Sequence, residues 1–169
     1  YGIVVNSAGS TIYTANYSDE SISVIDATTN TISETIPLSG KPFGINITPS
    51  GDKVLASIYS GNEISVINTA TNTVSNTINV GNTPNGIAVN STGTKAYVGN
   101  NSDNSVSVID IISNSVISTV IVGTKPTGIS LNPDNSKVFV TNYGSVFMSV
   151  IDAATNTIAE TIPVDKSST

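Results

Sequence analysis

The same residues return every 42 positions along this chain, four times over, with no insertion or deletion between copies. Gly2, Gly44, Gly86 and Gly128 keep that spacing, as do Asp26, Asn68, Asp110 and Asp152, and Asn30, Asn72, Asn114 and Asn156. A fixed period of roughly 20–50 residues marks a repeat architecture, in which one supersecondary unit buries its apolar faces against copies of itself. The third copy displays the pattern: Pro84 to Asn90, Ala96 to Asn100, Val106 to Asp110 and Val116 to Val122. These four short segments are rich in Val, Ile and Tyr, and Gly, Asn, Asp, Ser and Pro punctuate them, as strands and turns require. No stretch carries apolar residues at helical spacing over the ten or so positions a helix needs. The chain is predicted to be all-β.

Four strands in a unit of about 40 residues is the arithmetic of a four-stranded antiparallel propeller blade. Ile64-Ser65-Val66-Ile67 and Val106-Ser107-Val108-Ile109 put apolar groups on both faces, with a small Ser on one. A sheet covered by a neighbour on each side loses clean alternation, whereas a sheet with one wet face keeps it. The blades are predicted at 1–41, 42–83, 84–125 and 126–164, with 165–169 as a divergent tail or the start of a linker. The turns agree. Thr48-Pro49-Ser50-Gly51-Asp52-Lys53 supplies Pro for a preset φ and Gly for a positive one, and Asn135 replaces that Gly in copy four. Asp26, Asp110 and Asp152, with Asn68, precede the second hairpin turn, where each side chain is expected to accept backbone N–H groups rather than bind a metal.

At these residues the chain resembles the YVTN family of β-propeller repeats. The name motif reads Phe139-Val140-Thr141-Asn142, Tyr97-Val98-Gly99-Asn100 and Tyr13-Thr14-Ala15-Asn16, while copy two departs with Leu55-Ala56-Ser57-Ile58. Pro-x-Gly-Ile recurs at Pro42, Pro84 and Pro126, and Val-Ser-Val-Ile-Asp ends at Asp110. WD-type repeats fit poorly, because the chain has neither Trp nor His. The resemblance implies archaeal surface-layer and related bacterial surface proteins, often with seven blades and further domains. It leaves activity open, since propellers host unrelated functions.

Tyr1 takes the position of Phe43, Asn85 and Thr127, so the chain reads as a piece of a larger ring. Four blades in an open arc would bare a broad apolar face at each end, more than soluble monomers usually expose. Closure at four, further blades outside this segment, or a second chain completing an eight-bladed ring would each remove that exposure. Further blades or chain-to-chain packing is the preferred expectation.

Charged residues make up 11% of the chain, the net charge is −6, and Arg is absent. Nucleic-acid partners are not expected, because phosphate recognition needs clustered Lys and Arg. Lys53, Lys95 and Lys137 recur at one repeat position and read as solvated strand-edge residues. No apolar run approaches membrane-span length. Without His or Cys, zinc or haem ligation by those residues, Cys nucleophiles and a Ser-His-Asp arrangement are excluded. No Gly-rich phosphate loop is present. The densest acidic pair, Asp19-Glu20, falls in a loop and reads as solvated charge rather than a Ca²⁺ site. No catalytic residue, cofactor or metal is therefore predicted.

The aromatics offer more. Tyr17, Tyr59 and Tyr143 share one repeat position just after the second strand, where copy three has Asn101. Repetition sets them along one rim, where amphipathic rings suit carbohydrate stacking or protein contacts. Packing of each Tyr over its own loop is the plainer alternative. In copy four the loop continues with Val146 and Phe147, read as an apolar anchor for a neighbouring domain or subunit. Asn-x-Ser/Thr triplets at Asn16, Asn46, Asn90 and Asn100 are candidate glycan sites on an exported protein, Asn90 the best placed before its turn. The expected function is a noncatalytic extracellular or cell-surface propeller, structural or adhesive, with protein neighbours and glycans as partners. A carboxylate-dependent, lactonase-like hydrolase and a periplasmic small-ligand-binding propeller are the alternatives. Carboxylates converging at the ring mouth would favour the hydrolase.

Overall fold

The computed structural model describes residues 2–164, so Tyr1 and the 165–169 tail lie outside the described residues. Sixteen strands form four separate four-stranded sheets, each antiparallel and each in chain order. Blade 1 holds β1 (Ile3–Val5), β2 (Thr11–Asn16), β3 (Ser21–Asp26) and β4 (Thr31–Pro37). Blade 2 holds β5 (Pro42–Ile47), β6 (Lys53–Ile58), β7 (Glu63–Asn68) and β8 (Thr73–Asn79). Blade 3 holds β9 (Pro84–Val89), β10 (Lys95–Asn100), β11 (Ser105–Asp110) and β12 (Ser115–Ile121). Blade 4 holds β13 (Pro126–Leu131), β14 (Lys137–Asn142), β15 (Phe147–Asp152) and β16 (Thr157–Pro163). The 42-residue period is thus the period of the sheets.

First strands pack on one another in succession, β1 on β5, β5 on β9 and β9 on β13, while the fourth strands barely touch. The sheets therefore radiate from a common inner edge. Three hydrophobic clusters fill the wedges between them, and each mixes residues of two blades. Leu55, Ile64, Val66 and Ile78 of blade 2 meet Ile87, Ala96, Val98 and Ile109 of blade 3. The same repeat positions build the other two wedges. β7 and β11 are buried on both faces, as the non-alternating pattern required.

Turn chemistry follows the residues. Gly9, Gly51 and Gly93 have φ of 70°, 77° and 70°, and Asn135 takes the same left-handed conformation at 59°. In the second hairpin, Asp26 Oδ1 accepts the N–H groups of Thr28 and Thr29, and Asp110 and Asp152 repeat the arrangement. Asn68 does so without a charge. One feature escaped the sequence pattern: the outer pairing of every blade carries a bulge. Between Val24 and Ile25 the register skips Ser33, and Ser75, Ile117 and Ala159 are skipped alike. Ser33 and Ser75 turn their hydroxyls back onto the carbonyls of Val24 and Val66. An extra residue increases local twist and blunts an exposed edge.

The lysines correct an expectation. Lys53 and Lys95 are not edge residues but open the second strand of their blades, half-buried. Lys53 Nζ donates to the Ile111 carbonyl at 3.2 Å and Lys95 Nζ to the Ala153 carbonyl at 3.1 Å, both in the following blade. Lys137 is exposed and pairs with Glu160 of its own blade. The first two bolt a blade to the next.

Candidate functional site

At one end of the molecule lie the loops that join second to third strands and one blade to the next. Antiparallel pairing of Pro42 with Ile58 brings the start of an inner strand beside the end of its neighbour. Phe43 and Tyr59 therefore meet, their rings stacked at 5.7 Å between centroids. Tyr17 of blade 1 joins them edge-on, 6.1 Å from Tyr59 and 6.5 Å from Phe43. Lys41 Nζ lies 5.5 Å over the Tyr17 ring, within reach of the negative π-face. Among the described residues, three half-buried rings and a cation thus form one platform across the junction of blades 1 and 2.

The sequence pointed to two of these rings and missed Phe43. The available signal was its position: a residue just after Pro42 sits on the same rim as one just after Ile58. Tyr143 does not join the platform. It is 64% exposed on blade 4, so the three tyrosines share a rim but not a site. Val146 is exposed in the same loop. Phe147 needs correction, since it is the first residue of β15, pairs with Pro163 and is half-buried. It occupies the position of Ser21 and Ser105, whose hydroxyls accept an amide proton from Asn16 and Asn100. In blade 4 the Phe147 carbonyl accepts it instead.

The same hydrogen bonds revise the glycan sites. Asn100 is fully buried and its Nδ2 donates to the hydroxyls of Ser105 and Ser107, both at 2.9 Å. Asn16 Nδ2 donates to Ser21 and Ser23 in the same way. Asn90 is buried, its Oδ1 accepting from Thr94 and Lys95 N–H and its Nδ2 donating to Thr94. Asn46 Nδ2 reaches the Ile87 carbonyl. A glycan needs a free, outward Nδ2, and the fold uses these amides internally. Asn90, the preferred candidate, becomes a poor one because it holds its own turn together.

Blade 3 continues the rim with polar groups. Asn82 donates to Asp103 through its side chain and its backbone, which holds the Asp103 carboxyl below the ordinary carboxylate range. Glu63 accepts from the Ser39 hydroxyl across the loop. At the opposite end, a concavity runs along the inner strands beside Asn46, Asn90, Ser130 and Asn132, with Ala88 and Leu131 between them. Its lining contains no carboxylate. Among the described residues, no group of three or more Asp or Glu lies close enough to hold a metal ion, the Asp19-Glu20 pair included. No described helix is long and apolar enough to cross a membrane.

No family model matches this chain, and no curated protein sequence does. Solved structures do. The chain superposes along its whole length on half of a chain of Kuenenia stuttgartiensis hydrazine synthase, with a TM-score of 0.94 and 23% identity. The chain has a β-propeller-like repeat fold. A functionally unknown protein from Desulfotomaculum acetoxidans DSM 771 matches over 95% of this chain and 55% of its own, with a TM-score of 0.82 and 18% identity. The propeller-like arc spans about half the length of these solved chains.

Proposed function

We infer that this arc is a noncatalytic interaction module of the YVTN type, displayed outside the cell or on its surface in a structural or adhesive role. The observation that carries the reading is the platform of Tyr17, Phe43 and Tyr59 with Lys41. Clustered rings, two of them with a polar tip, stack well on the apolar faces of sugars and on exposed side chains of a protein neighbour. The inner-strand concavity, lined by amide, hydroxyl and aliphatic groups, favours binding over carboxylate-dependent hydrolysis. An Asn-, Ser- and Thr-rich chain with only 11% charged residues suits an extracellular surface.

Two of the chain's six Tyr, Tyr17 and Tyr59, lie in the platform and Trp is absent, so tyrosine emission reports on it in part and calorimetry supplies the affinities of the variants. Titrating a panel of soluble polysaccharides should change that emission, and Tyr59→Ala or Phe43→Ala should weaken the response about tenfold or more, as removing a central aromatic anchor does. Binding that both substitutions leave intact would discard the platform. Turnover of lactone or ester substrates by the purified chain would replace the noncatalytic reading with the hydrolase.

A further inference from the structure

Blade 1 breaks one rule that the other blades keep. Lys53, Lys95 and Lys137 open the second strand of blades 2, 3 and 4, but Thr11 opens that of blade 1. Each of those lysines bonds an oxygen. Lys53 and Lys95 donate to the carbonyls of Ile111 and Ala153 across a junction, and Lys137 pairs with Glu160. Lys95 also faces Asp110 in the β10–β11 register, where its charge adds to the Ser113 N–H in holding that carboxyl below its ordinary range. All of these acceptors recur around Thr11. Thr69 stands where Ile111 and Ala153 stand, Asp26 where Asp110 stands, and Glu34 where Glu160 stands. Lys41, the one lysine of blade 1, lies over Tyr17 at the opposite end of the molecule.

With threonine in place of lysine, the junction of blades 1 and 2 opens into a cleft of about 340 Å³, lined by Thr11, Tyr13, Asp26, Thr69 and Asn72. Both walls belong to blades 1 and 2, so the cleft does not depend on what packs against the outer faces of the arc. Asp26 is the direct partner of Thr11 across β2 and β3, which sets the two side chains on one face about 5 Å apart at Cβ. Tyr13 gives a buried aromatic wall. Asn72 ties the cleft's edge together, accepting from the Tyr13 hydroxyl at 3.5 Å and donating to Glu34 Oε2 at 2.8 Å. Carbonyl, hydroxyl and carboxylate oxygens beside an aromatic ring suit a cation that carries N–H donors on an apolar stem. The two carboxylates repel an anion. Among the described residues, no group of three or more acids is close enough to favour a metal ion. We propose that this cleft binds a small primary alkylamine, its ammonium held as the Lys95 ammonium is held by the Ala153 carbonyl, and its stem laid along Tyr13. The ligand replaces from solution the lysine side chain that blade 1 lacks.

n-Butylammonium chloride, which carries the stem and head of a lysine side chain, should bind at one saturable site by calorimetry. It should also raise the urea midpoint of the chain, as a ligand of the folded state does. Butyltrimethylammonium keeps the charge but has no N–H donor, and it should leave the midpoint where sodium chloride of equal ionic strength leaves it. Thr11→Lys tethers an ammonium at the site, and blades 2, 3 and 4 already fold with lysine at that position. This variant should have a higher midpoint without ligand and should lose the butylammonium response. Asp26→Asn keeps the turn, which Asn68 makes in blade 2, and should weaken butylammonium binding about tenfold by removing a charged acceptor. A midpoint that butylammonium does not move, an equal response to the quaternary cation, or binding that Thr11→Lys leaves intact would overturn the proposal.

Discussion

Blades 2 and 3 repeat the sequence pattern of blades 1 and 4 but differ in how completely they are covered. In β10 every residue after Lys95 is buried, whereas in β14 Lys137 and Thr141 are exposed and Phe139 is partly so. In blade 1, Ile12, Thr14 and Ile25 are partly exposed where Val54, Ala56 and Ile67 of blade 2 are fully buried. Equivalent side chains, in equivalent strands, thus have unequal energetic weight. The lesson is that stability in a stacked repeat belongs to the junction and not to the blade, as nearest-neighbour energetics of such proteins requires.

Paired substitutions test that contrast, and the glycines should give the largest difference. Gly86→Ala puts a methyl group 2.1 Å from the Thr127 carbonyl oxygen, which is backbone and cannot step aside. It should cost about 3 kcal/mol or more, at the top of the range for overpacking. Gly128→Ala meets the Thr141 hydroxyl at 2.8 Å, a side-chain atom that can give way at the cost of its bond from the Gly128 N–H, and should cost about 1–2 kcal/mol, less than Gly86→Ala. Urea midpoints compare the two directly, and equal losses would mean that the inner strand, not the junction, dictates glycine.

Truncating the wedge residues comes next. Leu55→Ala removes a fully buried side chain and should cost about 3 kcal/mol, while Phe139→Ala at the partly exposed equivalent should cost about half as much. A Phe139→Ala loss as large as that of Leu55→Ala would show that blade 4 is covered in solution. Asn100→Ala deletes both donors to Ser105 and Ser107 in a buried site and should cost about 2 kcal/mol. Asn16→Ala, in a half-buried copy of the same triad, should cost less by the same assay.

The smallest effect is a response to acid. Backbone N–H groups, Thr29 foremost for Asp26, Ser113 for Asp110 and Thr155 for Asp152, hold these three carboxyls below their ordinary range. A lowered folded-state pKa means that the stabilisation is complete above the unfolded value, about 3.9, and is lost as pH falls through the folded value. Blade 2 makes the same turn with Asn68, which does not titrate. Replacing all three Asp by Asn should therefore flatten the decline in urea midpoint below about pH 4 while changing little at pH 7. An unaltered acid limb would assign it to other carboxylates, such as Asp52, held low by Ser50 and Thr48.

The strands were legible because each repeat states them separately: β-branched segments, a glycine or asparagine where φ is positive, and an acid or amide before the second turn. The rim position of Tyr17 and Tyr59 was legible for the same reason. Phe43 was not, since its proximity depends on pairing across β5 and β6. A triplet does not record which way its amide points, and the burial and internal hydrogen bonds of Asn90 and Asn100 come from the fold alone. Lys53 and Lys95 depart from the expectation because a charge at a strand start looks solvated until the next blade is put against it, whereas Lys137 is exposed as expected.

By itself the sequence determined the unit, since a period of 42 residues with four β-branched segments has few other ways to hide its apolar groups. It also determined the turns, where backbone conformation depends on the residue in place. Only the tertiary structure decided what each repeated position is worth. Leu55 and Phe139 occupy one place in the repeat, yet burial, hydrogen bonding and the need for glycine all arise from the neighbouring sheet, which local sequence does not contain.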